Sequence, residues 1–270
     1  GYDKVYTIGR YFRNEGIDRS HHPEFAMVET MAAYENYEYN MNLIEDMFRH
    51  VATQAFGRTR FQVRGHEIDF SQPWRRVSMA DAVKAKTGVD FPACSSVEEA
   101  NAKLAALGIQ EPQPSVGEAM VKAFELVEPD LIQPTLVYGH PIEISPLAKP
   151  LAEDPRFVER FEIFIAGMEC GDNWSEQNDP ARLLDTWQQA YRAEERDSGK
   201  FHTLDFDFIE ALVPSGQKTA QNEYHCRGFV AHYTTDPWLW TAPVGKPVWG
   251  MWPFGAAWCS QHFMEHYRFT

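Results

Sequence analysis

Apolar and polar residues alternate with a period of two in the runs 5–12 and 25–34, which predicts a pair of strands. The polar stretch between them is about ten residues, longer than most hairpin loops, and loops of that length tend to carry function. The period then lengthens. From Asn40 to Phe56, Ile44, Met47, Phe48, Val51 and Ala55 fall on one helical face, with Asn40 as the predicted N-cap and Gly57 as the stop. Phe61–Ile68 reads as a short strand or hairpin. Helices are predicted at Met79–Lys86, Ser96–Ala106 and Val116–Val127, the second opened by Ser96 with Glu98 and Glu99 in its first turn. Thr135–Tyr138, Pro141–Ser145 and Phe161–Ile165 read as strands, and Pro180–Glu195 as a helix with Asp179 near its start. Strands and helices mixed in this order predict an α+β fold around an antiparallel sheet.

Composition narrows the class. The 270 residues are 44% hydrophobic and 24% charged, enough for one large or two smaller globular domains. No apolar run approaches the length of a membrane span, so no membrane partner is expected. The four cysteines (Cys94, Cys170, Cys226, Cys259) form no C-x-x-C pair, which points away from zinc or a disulfide framework and towards a reducing cytoplasm. A net charge of -14 argues against broad nonspecific nucleic-acid binding. The chain opens on Gly1 and reads as a piece of a longer protein.

The segment Arg10–Glu29, RYFRNEGIDRSHHPEFAMVE, holds residue types suited to a bound nucleotide. Arg13 can grip a phosphate oxygen with its planar fork, Phe25 can stack on a purine, and Glu29 can offer a carboxylate to an ammonium group. Phe25 and Glu29 have the same parity, so a pleated strand would present both on one face. A structural ion pair between Arg13 and Glu15 is the plainer alternative, and His21 could be an ordinary loop histidine.

Further on, Glu162, Glu169 and Glu176 recur every seven residues. FEIFIAG is too rich in Phe and Ile to favour a helix and suggests a strand bent by a bulge near Gly167, which would bring Glu162 and Glu169 to one side. Two carboxylates about 4 Å apart repel by roughly 4 kcal/mol at an effective dielectric near 20, so a cation or a shared proton is expected, magnesium with ATP phosphates being the natural candidate. A solvated acidic face is the alternative.

The FRNEG block with its H-x-PEF element resembles motif 2 of class II aminoacyl-tRNA synthetases, specifically the lysyl-tRNA synthetases. YGHPIEISPLAKP (138–150) and FVERFEIFIAGMECGDNWSEQND (157–179) resemble later active-site strands of that family. The resemblance implies a partial synthetase core over 1–205 that activates lysine with ATP and Mg2+ and passes it to tRNA(Lys). It implies Arg13 at the α-phosphate, Glu15 and His21 as further ATP contacts, and Phe25 as the adenine platform, with Arg13 and Glu15 counted as catalytic. It also implies Glu29, Asp172 and Glu176 as substrate residues, Glu176 taking the lysine ε-ammonium, and Glu162 and Glu169 as metal ligands. Met31 replaces a usual tyrosine, Met168 an arginine and Asp172 an asparagine. The family's anticodon-binding domain, its motif 1 dimer interface, an upstream substrate glutamate and the motif 3 arginine have no counterpart, so a homodimer like the family's is left without its usual interface. Little or no aminoacylation by this chain alone is expected.

Composition shifts near residue 210. Residues 211–270 carry four basic and three acidic side chains, a net of +1 that leaves -15 to the rest, and five of the eight tryptophans lie between 238 and 258. Residues 206–270, with DFIEALVPSGQKTA, RGFVAHYTTDPWLWTAPV and WGMWPFGAAWCSQHFMEHYRFT, resemble part of the 1,2-α-L-fucosidase catalytic domain, an (α/α)6 barrel. The resemblance implies a mostly helical fragment. His232 and Asp236 invite an acid–base reading there, with a structural role as the alternative. The rival functions are accordingly a glycoside hydrolase fragment and a non-catalytic ATP-binding pseudoenzyme.

Overall fold

The computed structural model describes residues 3–13, 17, 22–179, 181–186, 206–225 and 227, with residues 206–212 described by backbone alone. The architecture is mixed α+β. The chain divides into two compact units, one of residues 35–187 and one of residues 1–34 with 188–270.

In the second of these units, β1 (Lys4–Phe12) and β2 (Glu24–Ala32) form an antiparallel ribbon whose register pairs Phe12 with Glu24 and Lys4 with Ala32. Arg13 N–H donates to the Pro23 carbonyl at 2.9 Å and closes the loop predicted between the strands. The same unit contains α5 (Phe206–Tyr224), a helix that runs through Pro214. A proline inside a helix removes one ladder donor. The expected junction near residues 206–210 thus falls within a helix. The rest of the expected barrel fragment, residues 228–270 with the five tryptophans, His232 and Asp236, lies outside the described residues.

The 35–187 unit is built on a four-stranded sheet in the order β5 (Arg75–Ser78), β6 (Thr135–Pro141), β7 (Phe157–Ile165) and β8 (Met168–Trp174). The β6–β7 and β7–β8 pairs are antiparallel, as expected, and β5 adds one parallel pair at the edge, so this sheet is mixed. Residues alternate across it. Leu136, Phe161, Ile163 and Ile165 pack with Met41, Ile44, Phe70 and Trp74, while Val137 and Phe164 pack with Val83, Leu104, Met120 and Phe124.

Helix α1 (Tyr37–Phe56) supplies the first layer. Its N-cap is Asn36, whose side chain accepts from Tyr39 N–H, in place of the predicted Asn40. Met41, Ile44 and Ala52 are buried, Met47 and Phe48 pack half-buried against the same core, and Val51 is exposed. Helices α2 (Met79–Thr87), α3 (Val97–Ala106) and α4 (Val116–Phe124) form the opposite layer. Each opens on a serine cap, Ser78, Ser96 or Ser115, that accepts from the backbone three residues on. The predicted strand at Pro141–Ser145 is instead the end of β6 followed by a 3-10 turn, Ile142–Ile144. β3 (Arg60–Val63) and β4 (His66–Asp69) make the predicted hairpin, turning at Arg64 and Gly65, both with positive φ. Residues 181–186 are helical, with the Asp179 carboxylate accepting from Ala181 N–H, as expected of the start of that helix.

Candidate functional site

The ribbon places Tyr11 directly opposite Phe25, and Thr7 opposite Glu29. Strand alternation therefore puts Tyr11, Phe25 and Glu29 on one face, as their parity requires. The Tyr11 and Phe25 rings stack with centroids 6.4 Å apart and planes 25° from parallel. Arg13 carries its guanidinium 5.4 Å from the centre of the Phe25 ring, a cation–π contact. The Tyr11 hydroxyl donates to Glu29 Oε2 at 2.6 Å, and this bond, first among several causes, raises the Tyr11 phenol above its usual range. Glu15 and His21 lie outside the described residues.

In the other unit a polar network interrupts an otherwise apolar sheet face. Arg160 is its hub. Its guanidinium donates to Ser145 Oγ at 2.9 Å and to Glu162 Oε1 at 2.8 Å, and pairs with Asp172 Oδ2 at 3.0 Å. His140, fully buried, brings Nε2 to 3.3 Å from Glu162 Oε2, close enough for an ion pair but without hydrogen-bond alignment. Burial pushes the Glu162 carboxyl up, yet His140 and then Arg160 outweigh it, and the group titrates below its ordinary value.

Two irregularities gather this network. β6 shifts register between Tyr138 and His140, at Gly139 with φ +70°, which turns His140 onto the face of Glu162. β8 shifts where Ile163 and Phe164 face Gly171 and Glu169, leaving Cys170 as the extra residue, so that Asp172 stands opposite Glu162. The predicted bulge near Gly167 is instead a two-residue turn, Ala166–Gly167, with φ of +53° and +68°. That turn places Glu169 opposite Phe164 and hence on the Glu162 side.

Burial, and after it the charges of Glu162 and Asp172, raise the Glu169 carboxyl. Glu169 nevertheless keeps over a third of its surface in water, so solvent screens much of this push. Glu128 is raised for the same kinds of reason, with Glu162 and Glu169 among its charge neighbours. Glu176 is also raised by burial, though it too is largely exposed. Tyr11, His140, Arg160 and Glu128 were missed in the sequence. Tyr11 and Arg160 had a usable signal, since each shares parity with a named residue on its own strand or across the register. His140 had none, because a bulge reverses its side.

Three carboxylates facing one guanidinium leave net negative charge on this face, which suits a cation. Among the described residues no group of three or more His, Cys, Asp or Glu side chains is arranged to hold a metal. That donor set fits an ion carried in with phosphates, as Mg2+ usually is, better than an ion caged by protein alone. An open cavity of about 420 Å3, lined by Asn42, Glu45, Asp46, Pro73, Trp74 and Arg76, holds none of the predicted site residues. Among the described residues no helix is long and apolar enough to cross a membrane.

Residues 1–216 match the family described as tRNA synthetases class II (D, K and N). The chain belongs to this family. As a class II synthetase-family chain it is 45% identical over 214 residues to a lysine–tRNA ligase of Staphylococcus saprophyticus, covering 78% of this chain and 43% of that protein. It is 46% identical over 215 residues to the lysine–tRNA ligase of Listeria innocua, covering 78% and 43%, and 45% identical over 213 residues to that of Fervidobacterium nodosum, covering 78% and 42%. The synthetase-family chain thus spans less than half the length of these relatives. Residues 188–270 match a second family, the glycosyl hydrolase family 95 catalytic domain, and the two matches overlap over 188–216.

Proposed function

We propose that this chain carries the nucleotide- and lysine-binding part of a lysine–tRNA ligase, in a partial core of residues 1–205. The observation that carries this reading is the hairpin face, where Arg13, Phe25 and Glu29 lie together in a chain 45% identical to such ligases. In this reading Arg13 holds the α-phosphate of ATP, Phe25 stacks under the adenine, and Glu15 and His21 make further contacts from the loop. Glu29 takes an ammonium group in the amino-acid pocket, Glu176 the lysine ε-ammonium, and Asp172 assists. A lysine carboxylate oxygen attacks the α-phosphorus and the bond to pyrophosphate breaks, and a terminal ribose hydroxyl of tRNA(Lys) then takes the lysyl group from the adenylate as AMP leaves. Positioning and electrostatics supply most of the rate. Glu162 and Glu169 would hold Mg2+, which neutralises phosphate charge when bound. The cytoplasm and a homodimer are the setting that the family resemblance implies.

Calorimetry with ATP, followed by lysine-dependent ATP–pyrophosphate exchange, tests the reading. ATP binding that weakens at least tenfold in Arg13→Met supports it, and exchange activity extends it to catalysis. Binding without exchange favours a non-catalytic nucleotide module, and no ATP binding overturns both. A second reading, a glycoside hydrolase fragment, is favoured by the match over 188–270. Release of fucose from a 2′-fucosyl substrate, lost in Asp236→Asn, would support it.

A further inference from the structure

We propose that Tyr11 is a positioning residue that sets the orientation of Glu29 for an ammonium ligand, an inference that rests on the amino-acid pocket assigned above. The hydroxyl-to-carboxylate distance of 2.6 Å lies in the range of charge-assisted O–H···O⁻ bonds, which are short and directional. It commits Oε2 of Glu29 to the phenol and leaves Oε1 to face a ligand. The ring of Tyr11 is fixed at its other end by the stack on Phe25, its direct cross-strand partner. One side chain therefore touches both the carboxylate and the aromatic platform.

The backbone makes room for this pose. To reach from the level of Phe25 to Glu29 the phenol lies along the strand over Gly9, where an added Cβ would sit 3.7 Å from Tyr11 Cε2. Alanine would fit there at van der Waals contact, whereas a branched side chain would compete with the ring. Met31, two residues beyond Glu29 on the same face, is exposed and carries no hydroxyl. Thr7 stands directly opposite Glu29 across the ribbon.

The test is a double-mutant cycle on the full 270-residue chain, with lysine and ATP affinities measured by calorimetry. Tyr11→Phe keeps the ring and removes the hydroxyl. It should weaken lysine about tenfold and change ATP affinity less than twofold. On a Glu29→Gln background the same change should alter lysine affinity less than twofold. Gly9→Val, which retains the hydroxyl but displaces the ring, should weaken lysine by a similar factor. The unchanged ATP affinity of Tyr11→Phe serves as the control that the ribbon still folds. Unaltered lysine affinity in Tyr11→Phe, or an equal loss with and without Glu29, overturns the proposal while the lysine-pocket reading stands. A wild-type chain that binds ATP but no lysine overturns both.

Discussion

Arg13 and Arg160 carry the same charge in unlike surroundings. Arg13 sits at the end of an exposed ribbon with its guanidinium over Phe25, whereas the Arg160 side chain is 18% exposed and tied to Ser145, Glu162 and Asp172. On the ribbon, register alone assembles the cluster, and its members keep water on at least one side. In the sheet, Arg160 compensates Glu162 from two residues away on the same strand, while two bulges are needed to bring His140 and Asp172 beside it. An exposed cation can exchange its neighbour for a ligand at small cost. A buried one is committed, because removing it strands the carboxylates it compensates.

The sharpest way to break this contrast is to make the same substitution in both places. Arg160→Met should destabilise the chain by about 3 kcal/mol or more in urea unfolding, since it leaves part-buried carboxylates uncompensated. Arg13→Met should stay within about 0.5 kcal/mol. Similar losses at both sites would show that the ribbon is as tightly bound into the fold as the sheet. Next in size, Gly139→Val forces a β-branched residue to φ +70° and should cost about 2 kcal/mol, with the His140 imidazole resonances shifting by NMR as the ring leaves Glu162.

The acid limb gives a smaller effect of defined sign. The folded pKa of Glu162 is depressed, so its contribution to stability is complete above the ordinary carboxylate value and is lost as pH falls through the depressed one. Glu169 has a raised folded pKa. Its destabilising charge is present at neutral pH and is relieved as pH falls towards the ordinary value. Glu169→Gln should therefore stabilise at pH 7, by no more than about half a kcal/mol because the group is partly in water, and the gain should vanish in acid. The ribbon supplies the alkaline counterpart. The phenol of Tyr11 is raised, so its bond to Glu29 is complete below pH 10.0 and is lost as pH rises through the raised value. Difference absorbance between wild type and Tyr11→Phe should show one tyrosine ionising above pH 10.0.

Most helices were legible because their ends are marked by chemistry. Ser96 and Ser115 cap where a serine precedes an apolar period, and Gly57 stops α1 in the left-handed conformation. Asn40 misled because Asn36 has the same capping chemistry one turn earlier and starts the helix first. Phe25 and Glu29 shared a face as parity demanded, since the ribbon runs without a bulge. In the sheet, parity failed at two points, each of which shifts the register by one residue.

By itself the sequence determined the alternation of strands, the serine-capped helices and the family, because local periodicity and a long matching segment need no tertiary context. Only the tertiary structure decided which polar residues meet. Bulges at Gly139 and Cys170 turned His140 and Asp172 onto the face of Glu162, and the counter-charge that two close carboxylates demand was supplied by Arg160. The reason is that a strand's faces are fixed by pairing with its neighbours, and a single unpaired residue reverses them without leaving a composition signal in the chain.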